Sequence, residues 1–116
     1  MNKEILDFEE FMNRVQDDKE LFLELLDIFV TDFHKKREEL KKAIDDKNTA
    51  AIEHVAHFLK GSCGNISAKA LRKVFVDLEE KVKRGGLDDL QSSLRDMDQK
   101  FEDLAVCIGE ARREFS

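Results

Sequence analysis

No proline interrupts the 116 residues of the chain. Inside a helix, proline removes a hydrogen bond and clashes with the preceding turn, so a chain without it can run long helices. The apolar residues follow that option. Leu87, Leu90, Leu94, Met97, Phe101, Leu104 and Ile108 recur at alternating intervals of three and four. Such spacing makes the seam of a helix packed against near-parallel neighbours. Nothing in the chain alternates with a period of two over a strand's length, and no hairpin dipeptide or internal repeat occurs.

The remaining segments follow the same helical period. Asp7 with Glu10 three residues later is a capping pattern, and Phe8, Phe11, Met12 and Val15 then share one face. Asp17 and Glu20 repeat that pattern and open a long second helix. Its stripe is Phe22, Leu26, Phe29, Phe33, Leu40 and Ile44, with Arg37 filling one turn. Leu21, Leu25, Ile28 and Val30 widen the apolar face of its first half, which is expected to be surrounded by protein; the charged second half is expected to project into water. Asn48 or Thr49 caps a third helix that ends near Gly64-Asn65. Ser67 is the expected cap of a fourth, which stops at Gly85-Gly86. The expected fold is all-α: an antiparallel four-helix bundle with a short additional N-terminal helix, one domain over residues 1–116.

Composition bounds the function. Twenty Lys and Arg against 26 Asp and Glu leave a formal charge of −6, the wrong sign for a protein whose main partner is a nucleic acid backbone. No apolar run is long enough to span a membrane, and the first residues lack the apolar core of a secretory signal. Two cysteines, Cys63 and Cys107, make no disulfide scaffold. These features point to a cytoplasmic protein in a reducing compartment, with no nucleic acid and no membrane partner. The charge and the lack of a second apolar stripe favour a monomer.

One segment is chemically distinct: Ala56-His57-Phe58-Leu59-Lys60-Gly61-Ser62. On a helix of about 100° per residue, Ile52, Val55, Ala56 and Leu59 define the buried side. His57 falls about 140° from Ile52, facing water. Gly61, four residues on, puts no side chain beside the ring. A glycine within a helix costs roughly 0.5–1 kcal/mol relative to alanine. Close approach by another molecule would account for that cost. Lys60 brings a cation to the same side. An open imidazole with an adjacent ammonium suits a group that carries negative charge, such as a phosphoryl group on a ring nitrogen.

The segment resembles the Ala-His-x-Leu-Lys-Gly-Ser motif of the histidine phosphotransfer (HPt) domain family. The resemblance extends to the Leu- and Phe-rich helix upstream, to the loop Asp45-Asp46-Lys47-Asn48 and to the pair Leu78-Glu79, over roughly residues 5 to 110. One departure lies in the turn after the motif, where the family often has Gly and this chain has Ser67. The resemblance implies that His57 accepts a phosphoryl group from a receiver-domain aspartate and passes it to another receiver in a multistep phosphorelay. Lys60 would face the phosphoryl oxygens and Gly61 would permit approach. His54, Phe58, Ser62 and Gly64 would dock the receiver. The partners implied are response-regulator receiver domains and a hybrid sensor kinase. No cofactor or metal of its own is expected, the Mg²⁺ being held by the receiver. Nothing here resembles a nucleotide-binding lobe, so the chain would be a carrier and not a kinase.

Two other readings stay open at the level of sequence. The bundle could bind a receiver without accepting phosphate. It could also be the excised phosphate-accepting domain of a hybrid or chemotaxis-type kinase. A metal pair of His54 and His57 lacks a third ligand at a recognised spacing. Cys63 and Cys107 read as small core residues, and His34 as surface. The run Lys35-Lys36-Arg37, followed by Glu38-Glu39, reads as a solvated helix face.

Overall fold

The computed structural model describes residues 2–115. These form five helices and no strand: α1 (Phe8–Arg14), α2 (Lys19–Asp45), α3 (Thr49–Asn65), α4 (Lys69–Lys83) and α5 (Leu90–Phe115). Helix α3 packs on α2 and α4, α4 on α5, and α5 returns to α2, closing an antiparallel four-helix bundle. The molecule measures 43 × 20 × 20 Å. A helix the length of α2 or α5 rises about 40 Å. These two helices therefore run the length of the molecule, while α3 and α4 cover only part of it.

The short helix α1 fills the space left at the open end. Phe11 packs on Phe22, with ring centroids 4.5 Å apart. Phe8 lies against both Phe22 and Phe115. Full burial of a phenylalanine contributes roughly 1.5–3 kcal/mol, so this aromatic knot closes the end of the core. The expected stripe of α2 is buried throughout, from Phe22 to Ile44. Its widened first half is not surrounded: Leu21 and Ile28 remain 38% and 48% exposed.

The second half of α2 also departs from expectation. Arg37 is no solvated residue; its guanidinium donates to both carboxylate oxygens of Asp98 on α5, at 2.9 and 2.7 Å. Lys36 lies with its ammonium 4.7 Å from the centre of the Phe58 ring. Two caps sit one residue from where the sequence puts them. Asp18, not Asp17, accepts from the Leu21 N–H and opens α2, because Asp17 is taken up in a left-handed turn with φ 61°. Ser67 does not cap α4; Ala68 holds the cap position without a side-chain bond. Leu87 is half-buried but precedes α5, which begins at Leu90. Asn48 and Asp7 cap as expected, accepting from Ala51 and Glu10.

Ser67 has φ 61°, the left-handed region that glycine enters at least cost. The turn makes a backbone demand at this position that the chain meets with a serine. Local bonds hold it there. The Ser67 carbonyl accepts from the Asp7 N–H at 3.0 Å, and its hydroxyl donates to Glu10 Oε1 at 2.7 Å. Gly85, with φ 82°, ends α4: its N–H reaches the Val82 carbonyl and that of Gly86 reaches Lys81.

Candidate functional site

Ile52, Val55, Ala56, Leu59 and Cys63 bury one side of α3 in the bundle. The helix period then turns His57 outward, and its side chain is 70% exposed. Gly61 is exposed on the same side, and a Cβ built there meets nothing within 4 Å. No contact inside the protein therefore requires glycine at this position. The open flank expected from the sequence is present.

The ring is not free on both sides. His57 Nδ1 lies 3.1 Å from Glu79 Oε2, a residue of α4. The other carboxylate oxygen, Oε1, accepts from Lys60 Nζ at 2.7 Å. Lys83 Nζ stands 3.7 Å from Oε2. The Glu79 side chain is only 9% exposed. The Lys60 ammonium, hydrogen-bonded to it, holds its carboxyl below the usual carboxylate value despite burial, with smaller contributions from Lys83 and His57. An ionised carboxylate only accepts hydrogen bonds. A proton in this contact therefore sits on Nδ1, and in the neutral ring the lone pair falls on Nε2.

Glu79 is the member of this cluster that the sequence does not single out beyond the pair Leu78-Glu79, yet a signal is there. Leu71, Phe75, Glu79 and Val82 lie at the spacing of one buried stripe, and a carboxylate in such a stripe needs a cation. Lys60 was expected to stand beside the ring; it stands on the carboxylate that holds the ring.

The expected docking residues divide between the two flanks of α3. His54 is exposed near His57. Phe58 is 39% exposed under the Lys36 ammonium. Ser62 is half-buried and shares a shallow hollow with Leu25, Ile28 and Asn65. Gly64 lies toward α4, where Arg72 Nε would sit 3.7 Å from its Cβ, and its carbonyl accepts from Arg14. The exposed part of α2 thus adds Ile28 to the apolar surface beside the site. Cys63 and Cys107 are buried, and burial pushes both thiols up. His34 is exposed, with its ring edge on Phe101. Among the described residues, no group of three His, Cys, Asp or Glu is placed to hold a metal ion.

The family model described as Hpt domain matches residues 24–107. Two solved structures are similar over nearly the whole chain. One is histidine-containing phosphotransfer protein B from Pseudomonas aeruginosa PAO1, with a TM-score of 0.88 and 25% identity, covering 97% of each chain. The other is the HPT domain of a sensor hybrid histidine kinase from Shewanella, with a TM-score of 0.81 and 15% identity, covering 99% of each chain. No curated protein matches the sequence.

Proposed function

The chain belongs to the Hpt domain family, whose activity is histidine phosphotransfer in phosphorelays, and from that premise we propose that His57 is the residue that carries the phosphoryl group. The observation that carries this reading is the Glu79 contact at Nδ1, 3.1 Å long, which leaves Nε2 as the nucleophile. Nε2 attacks the phosphorus of a receiver's aspartyl phosphate in line. The N–P bond forms as the P–O bond to the aspartate breaks, and the aspartate leaves as a carboxylate. Nδ1 keeps its proton, so the ring acquires positive charge, which the Glu79 carboxylate stabilises. Attack on Nε2 phosphorus by a second receiver's aspartate reverses the step.

Phosphoryl transfer depends chiefly on positioning and charge neutralisation. Lys60 is the side chain available to meet the phosphoryl oxygens from this chain, and Mg²⁺ is supplied by the receiver. Gly61 leaves the approach to Nε2 open. The receiver docks across His54, Phe58, Ser62 and Gly64, with Ile28 of α2 extending the apolar part. An interface needs such an apolar centre beside a polar reactive group. The carrier acts as a cytoplasmic monomer between receivers, one of them in a hybrid sensor kinase. Among the described residues, no helix is long and apolar enough to cross a membrane.

The test is transfer itself. The protein is mixed with a phosphorylated receiver domain and Mg²⁺, and its intact mass is followed at neutral to alkaline pH. One phosphoryl group is expected on the wild type and on His54→Gln, lost on acid treatment and absent from His57→Gln. A receiver that binds tightly, yet transfers nothing to the wild type, would make this a docking bundle.

A further inference from the structure

Glu79 has one cation close by and a second at a distance. Lys60 Nζ is at 2.7 Å from Oε1, and Lys83 Nζ at 3.7 Å from Oε2. Lys83 is the last residue of α4, one turn beyond Glu79, and its side chain is 59% exposed. Glutamate followed by lysine at this spacing is the favourable order on a helix. Among the described residues the Lys83 ammonium has no ion-pair partner besides Glu79, and its exposed side chain has room to come closer.

Phosphorylation changes what this cluster must balance. The phosphoryl group brings a charge of about −2 to the far side of the ring, and Lys60 is drawn toward it. The nitrogens of the imidazole point in opposite directions, so an ammonium on the phosphoryl oxygens leaves the carboxylate. Glu79 then keeps the Nδ1–H of the charged ring but loses its closest ammonium, while a new dianion stands beyond that ring. A buried carboxylate that loses one of its cations is left less compensated, which is costly.

We propose that Lys83 is a positioning residue that takes over the Glu79 carboxylate when Lys60 turns to the phosphoryl group. With both lysines, the charges of Glu79, the phosphoryl dianion and the phosphorylated ring sum to zero. Without Lys83 one negative charge is left over. Lys83 thus acts on the phosphorylated state much more than on the free one, and it does so through Glu79, without touching the phosphoryl group. The proposal rests on His57 as the acceptor.

The experiment compares wild type, Lys83→Met, Lys83→Arg and the distant charge control Lys73→Met. The partition of phosphoryl groups between the protein and one receiver is measured at equilibrium, alongside the urea unfolding midpoint of the unphosphorylated protein. Lys83→Met is expected to lower the partition constant about fivefold, which corresponds to roughly 1 kcal/mol. Its unfolding midpoint is expected to fall only by the small amount of an exposed helix ion pair, well short of the loss in partition. Lys83→Arg is expected to restore the partition, and Lys73→Met to leave it unchanged. A wild-type partition in Lys83→Met would overturn the proposal, as would a loss matched by Lys73→Met or an equal loss of stability in the free protein. If the wild type itself accepted nothing at His57, the acceptor assignment would fail first, so the two failures are distinguishable.

Discussion

At the scale of single residues, the site separates what the fold needs from what the chemistry needs. Gly61 illustrates the separation. It lies inside α3, and an added methyl group would meet nothing within 4 Å. Alanine there should raise stability by about 0.5–1 kcal/mol, since helical glycine is the poorer residue by that amount. In the proposed function the same methyl group stands where a receiver would approach Nε2. Gly61→Ala is therefore expected to unfold at higher urea while its transfer rate falls by about tenfold, a change of roughly 1.4 kcal/mol in the barrier. Equal transfer rates would remove the reason for glycine at this position. His57, Lys60 and Gly61 were all legible because they lie on the outward side of a helix whose inward side is plainly apolar. Glu79 was not read as part of the site, because pairing across two helices depends on how α3 and α4 are rotated against each other. Sequence spacing within either helix does not contain that rotation.

At the scale of elements, the short helix α1 is tied to the turn that follows the histidine helix. Lys69 Nζ lies 3.0 Å from Asp7 and 3.3 Å from Glu10, and Ser67 donates to Glu10. Arg14 reaches across to the Gly64 carbonyl. The Glu10 N–H and Lys69 lower the Asp7 carboxyl from its ordinary 3.8. Ser67 and Lys69 lower that of Glu10 from 4.5. Groups with a lowered folded value stabilise the fold above their unfolded values and lose that contribution as pH falls through the folded ones. Lys69→Met should therefore be less stable than wild type at pH 7. The gap should narrow as acid protonates Asp7 and Glu10, at pH values below 3.8 and 4.5 respectively. Urea midpoints at both ends of that window check this, and a gap that is constant with pH would place the contribution elsewhere. The existence and order of the five helices were legible from apolar spacing together with cap and glycine signals. The cap positions at Asp18 and Ala68 were not, because each depends on the left-handed residue before it, Asp17 or Ser67. A sequence offers no strong signal that a non-glycine residue will take that conformation.

At the scale of the whole molecule, the formal charge of −6 conceals an asymmetry. Residues 47–87, which contain α3 and α4, carry eight Lys and Arg against four Asp and Glu; the rest of the chain carries twelve against twenty-two. The histidine helix thus lies in the cationic part of an acidic protein, where an anionic group is received most favourably. Two of the three histidines, His54 and His57, belong to that part, and His34 lies on α2. All three are exposed, so access to solvent does not single out His57. Glu79 on Nδ1 is what distinguishes His57. The most direct test is nitrogen NMR of the whole protein labelled at histidine, recorded before and after phosphorylation by a receiver. The expected result is a phosphoryl group on Nε2 of His57 alone, with Nδ1 protonated in both states. A phosphoryl group on His54, or on Nδ1 of His57, would contradict the account.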